Sequence, residues 1–548
     1  MLSMSARRFT GWLLLSLLAT TSARAASLDK IEKTRQASRL SADQAILFKV
    51  QTLKGATSLP LEFLPDERMV ERCGSRVVLE AHQNWDSYTP ATQSRLAAIL
   101  QRPSQEKTHA SPDGIFLIHY DTAGGQAVPS ADLDTSGIPD YVENLARYAD
   151  SSYRMEVLQM GYRPPLSDGA GLYDIYTQEI PYYGYCEPVS NQCFACASFI
   201  VVHRDFFGFP PNDDPEGDQK GAMKVTIAHE LHHAVQFAYT VVGSAWFFES
   251  TSTWMEDVVF DLVNDNYWYL PAFFSQPALP LTYNSIHMYG CFIWNQYLAQ
   301  NFGADIIRQV WEENALSPAA ATSLDQVLRN RYASDLAKEF SRFALWNFYT
   351  GRRDDGRHYE EGDHYPEMEL HFNTGGPVFS GRSDTIFALA AQYVSFPSAN
   401  TIEKAQLTFT GRATGEWGAH VVFHNPYSSR AYPFNLIGKN QGDTTFFGLD
   451  SFPQVVLIGA QIKTGQLSAS EYFDYGYKPL PFYIRGDLNE DLAVNSQDIV
   501  YQINFLFLGI LPPENRLEAA ELNCDGRLSA ADLVLLLHLV FLFLPPPC

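Results

Sequence analysis

Val225-Thr226-Ile227-Ala228-His229-Glu230-Leu231-His232-His233-Ala234-Val235 is the stretch on which the reading of this chain turns. Helical spacing puts His229 and His233 on one face, one turn apart, so both imidazoles can reach a single ion. Glu230 sits beside them and can take a proton from water at that ion, whose pKa zinc brings down to roughly 7. His232 points off the ligand face and is expected to be solvent-exposed or to support the ligands. The plainer alternative is an ordinary helix that happens to carry histidines.

The downstream sequence narrows the choice. A catalytic zinc takes three protein ligands and keeps one open position, and two histidines with a glutamate are a common set. Trp246-Phe247-Phe248-Glu249-Ser250-Thr251-Ser252-Thr253-Trp254-Met255-Glu256-Asp257 follows, with Glu249 embedded among aromatic residues. An unpaired carboxylate buried there would be costly, so a cation partner is physically attractive. Glu256, two turns on, is the other carboxylate that could serve as a ligand or support one.

A strand, an HExxH helix and a second helix opened by W-F-x-E resemble the gluzincin superfamily of metallopeptidases. The resemblance implies that His229, His233 and Glu249 are zinc ligands and that Glu230 is the general base. The blocks Ile118-His119-Tyr120, Gly137-Ile138-Pro139-Asp140-Tyr141-Val142-Glu143, Ala228-His229-Glu230 and residues 246–256 are similar to a group of secreted bacterial metalloproteases. This likeness covers about residues 100–310. Ser250 stands where the pattern has glycine, and Thr253 where some members have aspartate. His287-Met288-Tyr289-Gly290 precedes an apolar helix, as a tyrosine-glycine step does in several gluzincins. That makes Tyr289 the candidate donor for the oxyanion of peptide hydrolysis, with a packed core tyrosine as the alternative.

The remaining sequence bounds the setting. The chain has 548 residues, too many for one core, and 46% apolar and 14% aromatic residues exclude a wholly disordered chain. A net charge of -23 argues against nucleic acid or an anionic membrane as main partner. Arg7 and Arg8, the apolar run 12–19 and Ala23-Arg24-Ala25 form the pattern of a secretory signal peptide over residues 1–25. The run is too short for a transmembrane anchor, so a secreted or extracellular protein is expected, tethered to a cell surface if the tail docks. In an exported chain, Cys186, Cys193 and Cys196 are expected to include a disulfide rather than a metal knuckle. Arg72-Cys73-Gly74 resembles the R-C-G of matrixin propeptides, whose thiolate occupies the open position on zinc. A disulfide partner or a buried cysteine is the plainer reading of Cys73.

Oxygen-rich loops account for part of the acidity. Asp132, Asp134, Ser136, Ile138, Asp140 and Glu143 fall at positions 1, 3, 5, 7, 9 and 12 of an EF-hand-type calcium loop, with Gly137 at position 6. The last 67 residues repeat such a loop at a spacing of thirty-four. Asp487, Asn489, Asp491, Asn495 and Asp498 make the first, and Glu521, Asn523, Asp525, Ser529 and Asp532 the second, each followed by an apolar helix. The second helix is too short to span a bilayer and is expected to be buried. Two loop-helix units at the end of an exported chain resemble a type I dockerin, which implies calcium-dependent folding and a cohesin-bearing scaffold or cell surface as partner. Glu521 departs from the usual aspartate.

The expected architecture is multidomain. It comprises a signal peptide (1–25), a polar, mixed prosegment or support region (26–105) with one helical stretch near residues 28–53, an α+β gluzincin-like catalytic domain (106–375), a β-sandwich (376–480) and a small all-α dockerin-like domain (481–548). The expected function is a secreted zinc-dependent endopeptidase acting on protein or peptide substrates, tethered through a calcium-dependent dockerin-like tail. The competing readings are a non-catalytic cell-surface adhesion protein with a relic zinc helix, and an enzyme of other amides or esters.

Overall fold

In the computed structural model, residues 27–53, 59–64, 71–169, 171–372, 379–397, 404–449, 451–465, 467, 469–480, 484–489, 493–510 and 519–547 are described. The expected signal peptide, and Asp491 of the first repeat loop, lie outside them. The chain divides into two compact units, one running to Val242 and including Met255–Asp265, the other comprising Gly243–Trp254 and the described residues from Asn266 on.

The first unit is built on a six-stranded mixed sheet, ordered β1-β5-β6-β4-β3-β2. Its strands are β1 (Glu71–Cys73), β2 (Lys107–Ala110), β3 (Phe116–Tyr120), β4 (Tyr173–Gln178), β5 (Tyr182–Pro188) and β6 (Ser198–His203). Strands β3, β4 and β6 run parallel, whereas β5 is antiparallel to β6 and parallel to the edge strand β1. Four helices, α1 (Ser27–Gln36), α2 (Ala42–Thr52), α3 (Ser75–Gln83) and α4 (Pro90–Ile99), pack on this sheet. Leu47, Val50, Val77 and Leu96 meet Tyr176, Tyr185, Phe199 and Val201 in one apolar core.

The single helical stretch expected over residues 28–53 is two helices. Ser41 accepts from the Gln44 backbone while the Gln44 side chain accepts from the Ser41 backbone, a capping box that starts a new helix. Helix α5 (Asp140–Tyr153) runs on into a π-helical turn, Arg154–Gln159, and packs against the twenty-residue helix α6 (Asp218–Phe237). Helix α6 also lies on β5 and β6. At Gly184 of β5 an added Cβ would stand 2.9 Å from Glu230 Cγ and 3.0 Å from Thr226 Cγ2, so only glycine lets the strand approach the helix this closely. Helix α7 (Ala245–Val259) contributes residues to both units.

Besides its share of α7, the second unit carries helices α8 (Leu270–Phe274), α9 (His287–Gly290), α10 (Phe292–Phe302), α11 (Asp305–Asn314), α12 (Ala320–Tyr332) and α13 (Leu336–Trp346). Strands follow: β7 (His371–Phe372), β8 (Phe379–Arg382), β9 (Ile386–Phe387), β10 (Ala390–Pro397), β11 (Lys404–Gly411), β12 (Trp417–Asn425), β13 (Ser428–Pro433), β14 (Gln441–Phe447), β15 (Gln454–Gln461), β16 (Ser470–Glu471) and β17 (Phe473–Leu480). They form a five-stranded sheet, β13-β12-β15-β10-β7, a four-stranded sheet, β14-β11-β17-β8, and the small pair β16-β9. Alternation along β11 turns Ala405, Leu407 and Phe409 inward. They share one core with Val421, Phe423, Val455 and Leu457 of the larger sheet, the packing of a two-sheet sandwich.

The chain closes with two loop-helix units carrying α14 (Ser496–Leu508) and α15 (Ala530–Leu542). Asn495 and Ser529, thirty-four residues apart, cap these helices in matching capping boxes with Asp498 and Asp532. Leu488, Ile499, Ala520, Leu522 and Leu536 form the small core between them. The expectation of a buried final helix is corrected. Leu536 is buried, but Val534, Phe541 and Leu542 are exposed, because two short helices cannot cover more than one face of each other. Among the described residues no helix is long and apolar enough to cross a membrane.

Candidate metal centre

Helix α6 carries His229, Glu230, His232 and His233, all buried. The rings of His229 and His233 lie 4.8 Å apart between centroids, as the one-turn spacing requires. His229 Nδ1 is 2.7 Å from Glu256 Oε1, and His233 Nδ1 is 2.8 Å from Gln236 Oε1. Both rings are thus anchored at Nδ1 and turn Nε2 toward the centre. Partners of this kind fix the tautomer and raise the basicity of a ligating imidazole.

Cys73, His229, His233 and Glu249 together offer one sulfur, two nitrogens and one oxygen, all within 4.8 Å of one another and all buried. A compact mixed set of borderline and soft donors fits zinc or a similar divalent transition ion far better than calcium or magnesium, which take oxygen. Cys73 is neither a disulfide partner nor distant from the histidines: its Sγ is 3.4 Å from His233 Nε2 and 3.6 Å from Glu230 Oε2. Glu230 Oε2 also accepts from the Ser75 hydroxyl at 3.0 Å.

Beneath these four side chains lies a charged layer of which only Glu256 was legible in the sequence, as a carboxylate that could serve as a ligand or support one. Glu256 supports His229 on one oxygen and takes the Arg72 guanidinium on the other. Arg72 also pairs with Asp265 and lies 4.3 Å over the Tyr183 ring. Burial pushes Asp265 up to about 6 even though Arg72 pulls the other way and Glu256 adds to the rise. The other side of α6 holds a second buried pair. His232 Nδ1 is 2.8 Å from Glu156 Oε2, on the π-helical turn, with the Tyr162 ring edge-on at 5.2 Å. Burial raises the Glu156 carboxyl well above its usual range. It lowers His232 well below, helped by the charges of His233 and His229, so burial works against the charged form of each partner in this hydrogen bond. The expectation of solvent exposure for His232 is therefore corrected: packing by α5 covers that face of α6.

Tyr289 belongs to α9 in the second unit, is buried, and stands 5.1 Å from the Tyr269 ring. Cys193 and Cys196 form a disulfide, and Cys186 is buried with its thiol pushed up by burial.

A second cluster lies in the loop before α5. Asp132, Asp134 and Asp140 bring carboxylate oxygens within 4.8 Å of one another. The Ser136 N–H donates to Asp132 and Asp134 at 3.0 Å each, Gly137 N–H donates to Asp132 at 2.9 Å, and Ser136 Oγ donates to Glu143 at 2.9 Å. Ile138 offers its carbonyl to Ser136 Oγ at 3.3 Å. Gly137 has φ of 87°, the left-handed turn that position 6 of such a loop demands.

In the C-terminal loops the last carboxylates organise backbone. Asp498 accepts from Leu488, Asn489 and Asn495, and Asp532 from Leu522, Asn523 and Ser529. Asp525 N–H donates to Glu521 and Asn523 side chains, while Asp487 is buried at the first loop position.

A family model described as a family of unknown function, DUF6055, matches residues 218–365, which include α6 and α7. No curated protein matches the chain. Among solved structures, it is similar to the pre-peptidase C-terminal domain of a collagenase from Bacillus anthracis, at 6% identity and a TM-score of 0.15, over 20% of this chain and 95% of that one. It is also similar to BtGH115A, a family GH115 4-O-methyl-alpha-glucuronidase with specificity for decorated arabinogalactans, at 9% identity and a TM-score of 0.13, over 47% of this chain and 39% of that one.

Proposed function

We propose that this chain is an exported zinc-dependent endopeptidase of gluzincin type. The observation that carries the reading is the convergence of His229, His233 and Glu249 beside the carboxylate of Glu230. Zinc in that set would supply Lewis acidity, acidifying water and polarising a substrate carbonyl.

The chain's own residues supply the rest. Glu230 accepts the proton of the attacking water and returns it to the leaving amine. Glu256 holds the His229 ring in the orientation that leaves Nε2 as the donor, and Gln236 does the same for His233. Tyr289 is assigned in this reading to the developing oxyanion. The Asp132 to Glu143 loop would hold calcium at the start of α5, the helix that packs on α6. In the same reading the C-terminal loop-helix units fold on calcium and dock, dockerin-like, on a cohesin-bearing scaffold or surface. The exposed Val500, Tyr501, Phe507, Val534 and Phe541 are apolar surface suited to such a partner.

The test is hydrolysis of a mixed peptide library by the zinc-loaded chain beside Glu230→Gln. The variant is expected to keep its zinc and lose about 100- to 10,000-fold in rate. Zinc bound without any hydrolysis, by the chain or by its Cys73→Ser form, would favour the binding-protein reading.

A further inference from the structure

We propose that residues 72–75 are an intrachain plug of the metal centre, with the Cys73 thiol as fourth ligand and the Ser75 hydroxyl on the general base. The proposal rests on the peptidase reading above and concerns how that site is regulated. A working zinc keeps one position open, whereas four protein ligands close it. Here the fourth donor comes from outside α6 and α7, on the three-residue edge strand β1. Every residue of the segment is engaged. Arg72 is held by Glu256 and Asp265, the same Glu256 that orients His229. Cys73 brings Sγ to 3.4 Å from His233 Nε2. Gly74 donates its N–H to the Gly184 carbonyl at 2.9 Å, in a place where an added Cβ would lie 2.5 Å from Leu53 Cδ2. Ser75 accepts from the Cys186 N–H at 2.7 Å and donates to Glu230 Oε2 at 3.0 Å.

Two groups the proposed chemistry needs are therefore occupied at once by one short segment. The thiol releases its proton to solvent on ligating, and the Glu230 oxygen that should receive a proton from water already has a hydroxyl donor. Cys73 lies on an edge strand paired on one side only, and Ser75 is the first residue of α3, so displacing this corner breaks few ladder hydrogen bonds. The folded chain is latent, and activation consists of withdrawing the Cys73 thiol and the Ser75 hydroxyl from the centre while Arg72 keeps its pairs with Glu256 and Asp265.

The experiment loads the full chain and its Cys73→Ser variant with Co2+ for spectroscopy and with Zn2+ for assay. The wild-type cobalt form should show a near-ultraviolet thiolate-to-metal charge-transfer absorption. In the variant that absorption should vanish while the visible ligand-field bands and the metal content remain. The variant's peptide hydrolysis should rise at least about tenfold, as expected when nine chains in ten or more are plugged. Wild-type chain that holds cobalt without the charge-transfer absorption overturns the plug and leaves the peptidase reading standing. A variant that loses its metal also overturns it, making Cys73 a permanent structural ligand. A wild-type chain that binds neither cobalt nor zinc removes the peptidase reading itself.

Discussion

Two of the clusters among the described residues that could hold a cation are assembled by opposite means. Around His229 and His233 the donors are nitrogen, sulfur and one carboxylate, all buried, and each ring is fixed by a further side chain. In the Asp132 loop the donors are oxygens at or near the surface, aimed by backbone N–H groups within one turn of chain. The first is a long-range construction, with Cys73 and His233 separated by 160 residues. The second is local and needs only a glycine at the right place. The difference teaches that the buried centre depends on the surrounding fold for its charge balance, whereas the loop depends mainly on its own sequence.

The most damaging way to challenge that contrast is Arg72→Met. It leaves Glu256 and Asp265 buried together without their cation, which should cost about 3–5 kcal/mol and loosen His229. Arg72→Lys should recover only part of this, since one ammonium cannot fork to two carboxylates as guanidinium does. Denaturant unfolding with zinc content measured in parallel checks both. A variant that unfolds and binds zinc like the parent would show that the charged layer does not support the centre.

A smaller effect is expected at the loop. Calcium at a hundredfold excess over its Kd should stabilise the first unit by about 2.7 kcal/mol, and Asp134→Ala should abolish the gain without changing zinc content. The Ser136 N–H and hydroxyl hold the Asp134 carboxyl below the usual carboxylate range. A lowered carboxylate keeps its contribution above the unfolded value and loses it as pH falls through the folded one. The calcium-dependent rise in Tm should therefore persist down to about pH 4 and fade only below it. Loss of the rise at milder pH, or its survival in Asp134→Ala, would place calcium elsewhere.

These contrasts also mark what the sequence could disclose. His229, Glu230 and His233 were legible because an i, i+4 pair needs nothing beyond helix geometry. Glu249 was legible from a carboxylate set among aromatic residues, and the Asp132 loop from spacing alone. The strands Phe116–Tyr120 and Ser198–His203 were visible in part, as the short apolar runs at residues 115–118 and 199–202. The role of Arg72 was not, because a buried ion pair to residues 184 and 193 positions away leaves no local pattern. Glu156 was hidden for the same reason, and because its aim at His232 depends on a π-helical turn. The segment 26–105 reads as a polar prosegment or support region, yet its short strand β1 enters the main sheet, and a three-residue strand has too few positions to show alternation. The outward apolar face of α15 was misjudged because hydrophobicity does not say how many neighbours are there to cover it.

The measurement that bears most directly on the account is the zinc content of the full chain, and of His229→Ala and His233→Ala, after dialysis against mixed zinc and calcium. The account predicts one zinc per parent chain and none retained in either variant, with calcium uptake at the Asp132 loop unchanged. A parent chain that takes up no zinc, or variants that keep it, would contradict the claim that this helix is a metal centre.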